Sequence, residues 1–406
     1  MLIRLFALHS HTVGNNRIKF IFVKNIFMID NAFDKLRPYT DNEIPAAVNR
    51  IIEHKSFPQL CKMLYPNKPI EEIANILRSF DTIYDFQKNF ALRMVLRIIE
   101  TTTNGLTHSG LENVTDVNNF AHLLVANHRD IVLDAALMQA VFTENDLHTT
   151  QITVGDNLMT DQLFIDLAKL NKMFTLIRGG SKIQMYRNAI LHSEYIRNLI
   201  TNENESLWIA QRDGRTKDGN DKTQQGLIKM LIGNRKDFVQ ALRELNIVPV
   251  TISYEFESCA KSKTREIYIS KHKEYQKDGN EDMKSVMAGF TTFKGRIHIS
   301  FGKNINPILD KIKNSDLPNT EIVDIVVNEL DKQFYANYKL WPNNYIAFDI
   351  LNNTNKYESE YTSGEKDTFV KYTEKIINEI EFKDPEIKTI LLGIYANPLK
   401  NKISLN

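Results

Sequence analysis

His128 stands between two apolar runs, Leu123-Leu124-Val125 and Ile131-Val132-Leu133, with Asp130 and Asp134 on its C-terminal side. An imidazole can take or give a proton near neutral pH, and a carboxylate on one ring nitrogen fixes its tautomer and orientation. Apolar run, polar elbow and second apolar run read as strand, turn and helix start. An α/β sheet keeps its chemistry at the C-terminal ends of its strands. Asn127 and Asp130 are also good helix caps, which would leave His128 simply at a strand end. His128-Arg129-Asp130 begins like the catalytic loop of protein kinases, but Ala135 stands where that loop needs asparagine, and no Asp-Phe-Gly follows.

Three further polar clusters follow candidate strands. Gly155-Asp156-Asn157-Leu158 comes after 151–154, and Arg178-Gly179-Gly180 after 174–177, with Arg187 on the next helix. The loop Gln211-Arg212-Asp213-Gly214-Arg215-Thr216-Lys217-Asp218-Gly219 comes after 207–210. Arginine and lysine beside glycine-exposed backbone amides suit a phosphate or another anion. Taken singly, each arginine equally suits a surface ion pair; together, at matching strand ends, they suggest one site.

These strands, with that at 123–125 and another at 247–252, alternate with helical patterns over 131–142, 161–170, 181–200 and 235–245. The alternation predicts an α/β fold with a mixed, largely parallel sheet covered by helices. Before it, helical spacing over 41–53 and 69–100 predicts one long amphipathic helix or two in line, closed by the polar loop 101–105. After it, 261–266 and 271–282 read as loop or edge and 296–300 as a strand. Helices are expected over 321–334, 365–380 and 385–395, their interleaved lysine and glutamate marking solvated faces.

Among 406 residues, 51 basic and 50 acidic side chains nearly cancel, so no whole-chain electrostatic footprint for nucleic acid exists. Cys61 and Cys259 lie far apart and suit a reducing cytoplasm. No Cys/His cluster or His-Glu-x-x-His marks a metal site. The apolar clusters Leu2 to Leu8 and Phe20 to Ile29 fall short of the ~20 residues of a membrane span, and Met28 reads as an alternative start. A soluble or membrane-peripheral protein is expected.

In order along the chain, Asn-His-Arg with its following aspartates, Gly-Asp-Asn-Leu, Phe-x-x-Ile-Arg, Asp-Gly-Arg-Thr and Ile-Val-Pro-Val resemble the blocks of the glycerolipid acyltransferases, the glycerol-3-phosphate and 1-acylglycerol-3-phosphate acyltransferase family. The likeness spans about Gly105 to Glu255. It implies that His128 is the catalytic base and an aspartate its partner. The family spacing His-x-x-x-x-Asp would land on Leu133 here, so the partner is Asp134, with Asp130 as the alternative. It further implies that Arg178, Arg215 and Lys217 hold the acceptor phosphate in a loop shaped by Asp213 and Gly214. An ungapped match of this loop puts Arg212 under the family's glutamate. Pro249 falls on the fourth block.

The resemblance divides the chain into an N-terminal extension (1–34), a helical region (35–103), an acyltransferase α/β domain (104–305) and a C-terminal helical region (306–406). It implies transfer of a fatty acyl group from an acyl-CoA or acyl-carrier-protein thioester to a glycerol phosphate or lysophosphatidate in phospholipid synthesis. No cofactor and no nucleic acid are involved, and the setting is cytoplasmic, peripheral at the inner face of the membrane. A hydrolase using the same histidine on water, or a lipid-binding protein without catalysis, are the alternatives.

Overall fold

Every residue of Leu123–Ala126 is buried, and so is every residue of Ile247–Tyr254. Apolar runs buried on both faces belong in the middle of a sheet. In the computed structural model, which describes residues 32–405, these segments are neighbouring central strands. The sheet contains β1 (Leu106–Ser109), β2 (Leu123–Ala126), β3 (Gln151–Gly155), β4 (Met173–Leu176), β5 (Leu207–Ala210), β6 (Ile247–Tyr254) and β7 (Ile297–Phe301). Their order is β1-β7-β6-β2-β5-β3-β4. β2 to β6 run parallel; β7 pairs antiparallel with β6 and parallel with β1. The expected α/β fold with a mixed, largely parallel sheet is therefore present. The apolar clusters near the N-terminus and the alternative start at Met28 lie outside the described residues.

Ahead of β1 come α1 (Ile44–Glu53), α2 (Phe57–Leu64), α3 (Ile70–Arg78), α4 (Ile83–Phe86) and α5 (Leu92–Thr102), with one π turn, Gln87–Ala91, between the last two. The helical pattern over 69–100 is thus interrupted. The Thr82 side chain accepts from Asp85 N at 3.1 Å and starts a new helix there. The crossovers of the parallel part carry α6 (Leu133–Glu144), α7 (Gln162–Leu170), α8 (Lys182–Thr201), α9 (Gln225–Ile232) and α10 (Phe238–Arg243).

Between β6 and β7 lie α11 (Ala260–His272) and α12 (Glu281–Thr291). This corrects the loop or edge expected at 261–266, which is helical, and part of that expected at 271–282. α11 has only a short apolar face, with Ala260, Ile267 and Tyr268 packed on the core of the C-terminal helices, and its polar remainder carries exposed ion pairs from Lys261 to Glu379 and from Arg265 to Glu381. The chain ends with α13 (Asn306–Ile312), α14 (Asn319–Asn337), α15 (Pro342–Asn352), α16 (Ser363–Glu379) and α17 (Glu386–Ile403).

The two-residue period of β6 divides its side chains between two layers. Val248, Val250, Ile252 and Tyr254 join the core that contains Leu133, Leu137 and Met138 of α6. Ser253, of opposite parity, accepts from Lys339 N at 3.0 Å just after α14. Pro249 is tolerated within β6 because β7 ends at Phe301, beside it; Gly302 N donates to the Pro249 carbonyl at 2.8 Å.

Candidate active site

The elbow after β2 is set by a side chain that behaves like backbone. Asn127 Oδ1 accepts from Ile252 N at 2.7 Å and its Nδ2 donates to Ile252 O at 3.0 Å, extending the pairing of β2 with β6 by one rung. The next residue, His128, then faces a cleft of about 520 Å³ at the C-terminal ends of the parallel strands.

His128 Nδ1 lies 2.9 Å from Asp134 Oδ2 in the first turn of α6. The same oxygen accepts from the backbone N of Arg129 at 2.6 Å and of Asp130 at 2.9 Å, and Oδ1 accepts from Tyr254 Oη at 2.8 Å. A carboxylate is acceptor-only, so Nδ1 carries the proton toward it and Nε2 keeps its lone pair for the cleft. Burial, reinforced by the Asp134 and Asp130 charges, pushes the Tyr254 hydroxyl well above the ordinary phenol range, keeping it a donor. Trp208 of β5 meets the imidazole edge-to-face, centroids 5.6 Å apart.

Asp130 points elsewhere. Its Oδ1 accepts from Val132 N and Leu133 N, both at 3.1 Å, and its Oδ2 from Ser258 Oγ at 2.5 Å, so it shapes the start of α6. Arg129 is buried beneath the elbow and bonded to Glu257 at 2.6 Å and Asp221 at 2.7 Å. Burial works against its charge, but Asp221, Tyr338 and Glu257 outweigh this and hold the guanidinium well above its usual range. Removing one partner from such a buried cluster costs roughly 3–5 kcal/mol.

The basic residues line the far side of the cleft. Arg178, after β4, forms an ion pair with Asp213 at 2.9 Å, and Lys217 pairs with Glu266. Arg215 Nη2 donates to Ser285 Oγ of α12 at 3.2 Å, while its buried Nη1 has no hydrogen-bond partner. Gly214 sits at φ 68°, in the left-handed region that glycine adopts freely, which lets the loop turn back toward His128. There Thr216 N donates to the His128 carbonyl at 2.7 Å. His128, Arg178, Asp213, Gly214, Arg215 and Lys217 thus share one cleft, with Asp134 behind the histidine. Arg212 also lines it, whereas Arg187 is exposed on α8.

Several contributors have no local sequence signal. Tyr254, Trp208, Ser285 and Glu266 reach the site from distant segments. His192, on α8, accepts from Ile177 N through Nε2 at 3.0 Å. Burial depresses its pKa to about 4, with nearby Arg178 adding to the shift and Asp156 opposing it.

Residues 105–255, the stretch that builds β1 to β6 and most of this cleft, match the family model described as Acyltransferase. Over this segment the chain is similar to the acyltransferases that the model describes. Among solved structures it is similar to the 1-acyl-sn-glycerophosphate (LPA) acyltransferase PlsC from Thermotoga maritima, at 13% identity, covering 71% of this chain and 95% of that one with a TM-score of 0.34. That likeness is too distant to carry an argument. No curated protein matches.

Proposed function

We propose that this protein moves a fatty acyl group from a thioester, acyl-CoA or acyl-carrier protein, to the hydroxyl of a glycerol phosphate or its 1-acyl derivative, in glycerolipid synthesis. The observation that carries the reading is the His128 to Asp134 pair facing the same cleft as Arg215, whose buried Nη1 lacks a partner. A hydroxyl is a poor nucleophile at neutral pH and a thioester a good electrophile, so a held neutral imidazole is the part such a reaction lacks in water.

In this reading His128 Nε2 takes the hydroxyl proton as the oxygen attacks the thioester carbonyl. Asp134 stabilises the resulting imidazolium, as the aspartate of a serine-hydrolase triad does. When the tetrahedral intermediate collapses, the carbon–sulfur bond breaks and the proton passes from Nε2 to the leaving thiolate. The net change is ester formation and release of free thiol. No glycine-flanked serine elbow exists in the sequence, so the acceptor hydroxyl attacks directly.

Arg215 anchors the acceptor phosphate. Arg178 and Lys217 exchange Asp213 and Glu266 for it, and this positions the hydroxyl over His128. The test is thiol release from an acyl-CoA by the purified chain, with and without glycerol 3-phosphate or its 1-acyl form, beside His128→Ala. Acceptor-dependent release lost in the variant supports the transfer. Release without any acceptor assigns a thioester hydrolase instead.

A further inference from the structure

The cleft opens beside a helix end with an unusual surface. Residues 178–187, the loop after β4 and the first turns of α8, are all exposed. A helix end bathed in water on every side is expected to be polar all round. Here Ile183 is 67% exposed, Met185 52% and Tyr186 61%. Lys182 and Arg187 flank them and are exposed too. Tyr186 is held in place, its hydroxyl donating to Asn234 Oδ1 at 2.9 Å. Met185 is itself part of the cleft wall.

On α12, Met283 at 39% and Met287 at 45% exposure line an adjoining cavity of about 560 Å³ that shares Asn157, Leu158 and Asp282 with the cleft. The exposed apolar side chains of α8 thus stand next to the site, with Met185 in its wall. Among the described residues, no helix is long and apolar enough to cross a membrane.

We propose that the first two turns of α8 dock on an anionic lipid surface, Ile183, Met185 and Tyr186 entering the headgroup boundary while Lys182 and Arg187 meet lipid phosphates. Charge complementarity selects this occupant: apolar anchors beside unshielded cations match an anionic interface, whereas a partner protein's apolar groove has no use for the flanking cations. Tyrosine is amphipathic enough to sit at such a boundary. Docking there sets the mouth of the His128 cleft against the bilayer, so a lipid acceptor enters without crossing bulk water. This names the partner of the site proposed above and rests on that reading only for its purpose.

The test uses the full chain and vesicles of phosphatidylglycerol or of phosphatidylcholine alone. Wild type should co-sediment with the first and not the second. I183E/Y186E should lose at least about tenfold in bound fraction, from the loss of two apolar anchors, and K182E/R187E should lose binding in a salt-dependent manner. Both variants should keep the wild-type thermal melt and, toward water-soluble glycerol 3-phosphate, the wild-type thiol release. Vesicle binding unchanged in I183E/Y186E overturns the proposal. So does a wild-type dimer that dissociates in that variant while vesicle binding is absent, which would make the patch a contact between copies of the chain. Loss of vesicle binding in the variants, in a protein that releases no thiol, upholds docking and rejects the transferase chemistry.

Discussion

Tyr254 Oη and His128 Nδ1 approach opposite oxygens of the same carboxylate, Asp134, at 2.8 and 2.9 Å. The phenol comes from the central strand β6 and the imidazole from the elbow after β2, so the carboxylate joins the middle of the sheet to the candidate base. Tyr254→Phe keeps the ring and removes one of four donors to Asp134. Losing a hydrogen bond to a charged group should cost about 1.5–3 kcal/mol of stability. The chemical step should slow by about tenfold through looser imidazole orientation, less than the ~10⁴-fold that removal of a triad carboxylate causes. Denaturant unfolding and single-turnover thiol release check the two effects separately.

Arg215→Ala should act on acceptor binding rather than on the thioester. KM for a phosphorylated acceptor is expected to rise by about one to two orders of magnitude, the weight of one or two charge-assisted hydrogen bonds. A neutral glycerol acceptor should be used equally poorly by wild type and variant. If wild type and variant share one KM for the phosphorylated acceptor, Arg215 is not its anchor.

His192 makes stability depend on pH in a defined window. Burial lowers its folded pKa from 6.5 to about 4, so between these values the unfolded chain binds the proton and the folded chain does not. Its contribution is therefore lost as pH falls from about 6.5 toward 4, by an amount on the order of 3 kcal/mol. His192→Gln, which can still accept from Ile177 N, should flatten that segment of a denaturation-against-pH curve. An unchanged slope would falsify this assignment.

Gly289 of α12 packs on the elbow: a Cβ there would lie 2.7 Å from Asp130 Oδ2 and 2.8 Å from Oδ1. Gly289→Ala must push α12 or Asp130 aside, at roughly 1–3 kcal/mol. Because Arg215 leans on Ser285 of the same helix, the variant should raise acceptor KM as well as lower the melting temperature. Gly279→Ala, where nothing lies near the added carbon, is the control that should leave acceptor KM unchanged.

What can be read from the sequence divides along contact range. The strands after which chemistry sits are legible because buried runs such as Leu123-Leu124-Val125 carry a strong local signal, and the relation of His128 to Asp134 spans a single elbow. β1 is not legible: Leu106-Thr107-His108-Ser109 is largely exposed and has no apolar alternation. α11 reads as loop because its apolar face is short, Ala260, Ile267 and Tyr268, and packs on residues more than 75 positions further along the chain, among them Ile346, Phe369 and Leu391. Tyr254 and Ser285 reach the site through pairings 120 residues from Asp134 and 70 residues from Arg215, which no spacing rule can reveal.

Asn127 divides the site into a stationary part and an adjustable one. By trading two amide hydrogen bonds with Ile252, while its Nδ2 also donates to Asp221 Oδ2 at 3.1 Å, it ties the histidine elbow to the central strand, so the backbone of the candidate base is held to the sheet. Any accommodation of acceptors of different length must then fall to the other wall, to α12 and the loop around Gly214. A change of acceptor preference during the history of such a chain would leave its mark there, in residues that surround the chemistry without taking part in it.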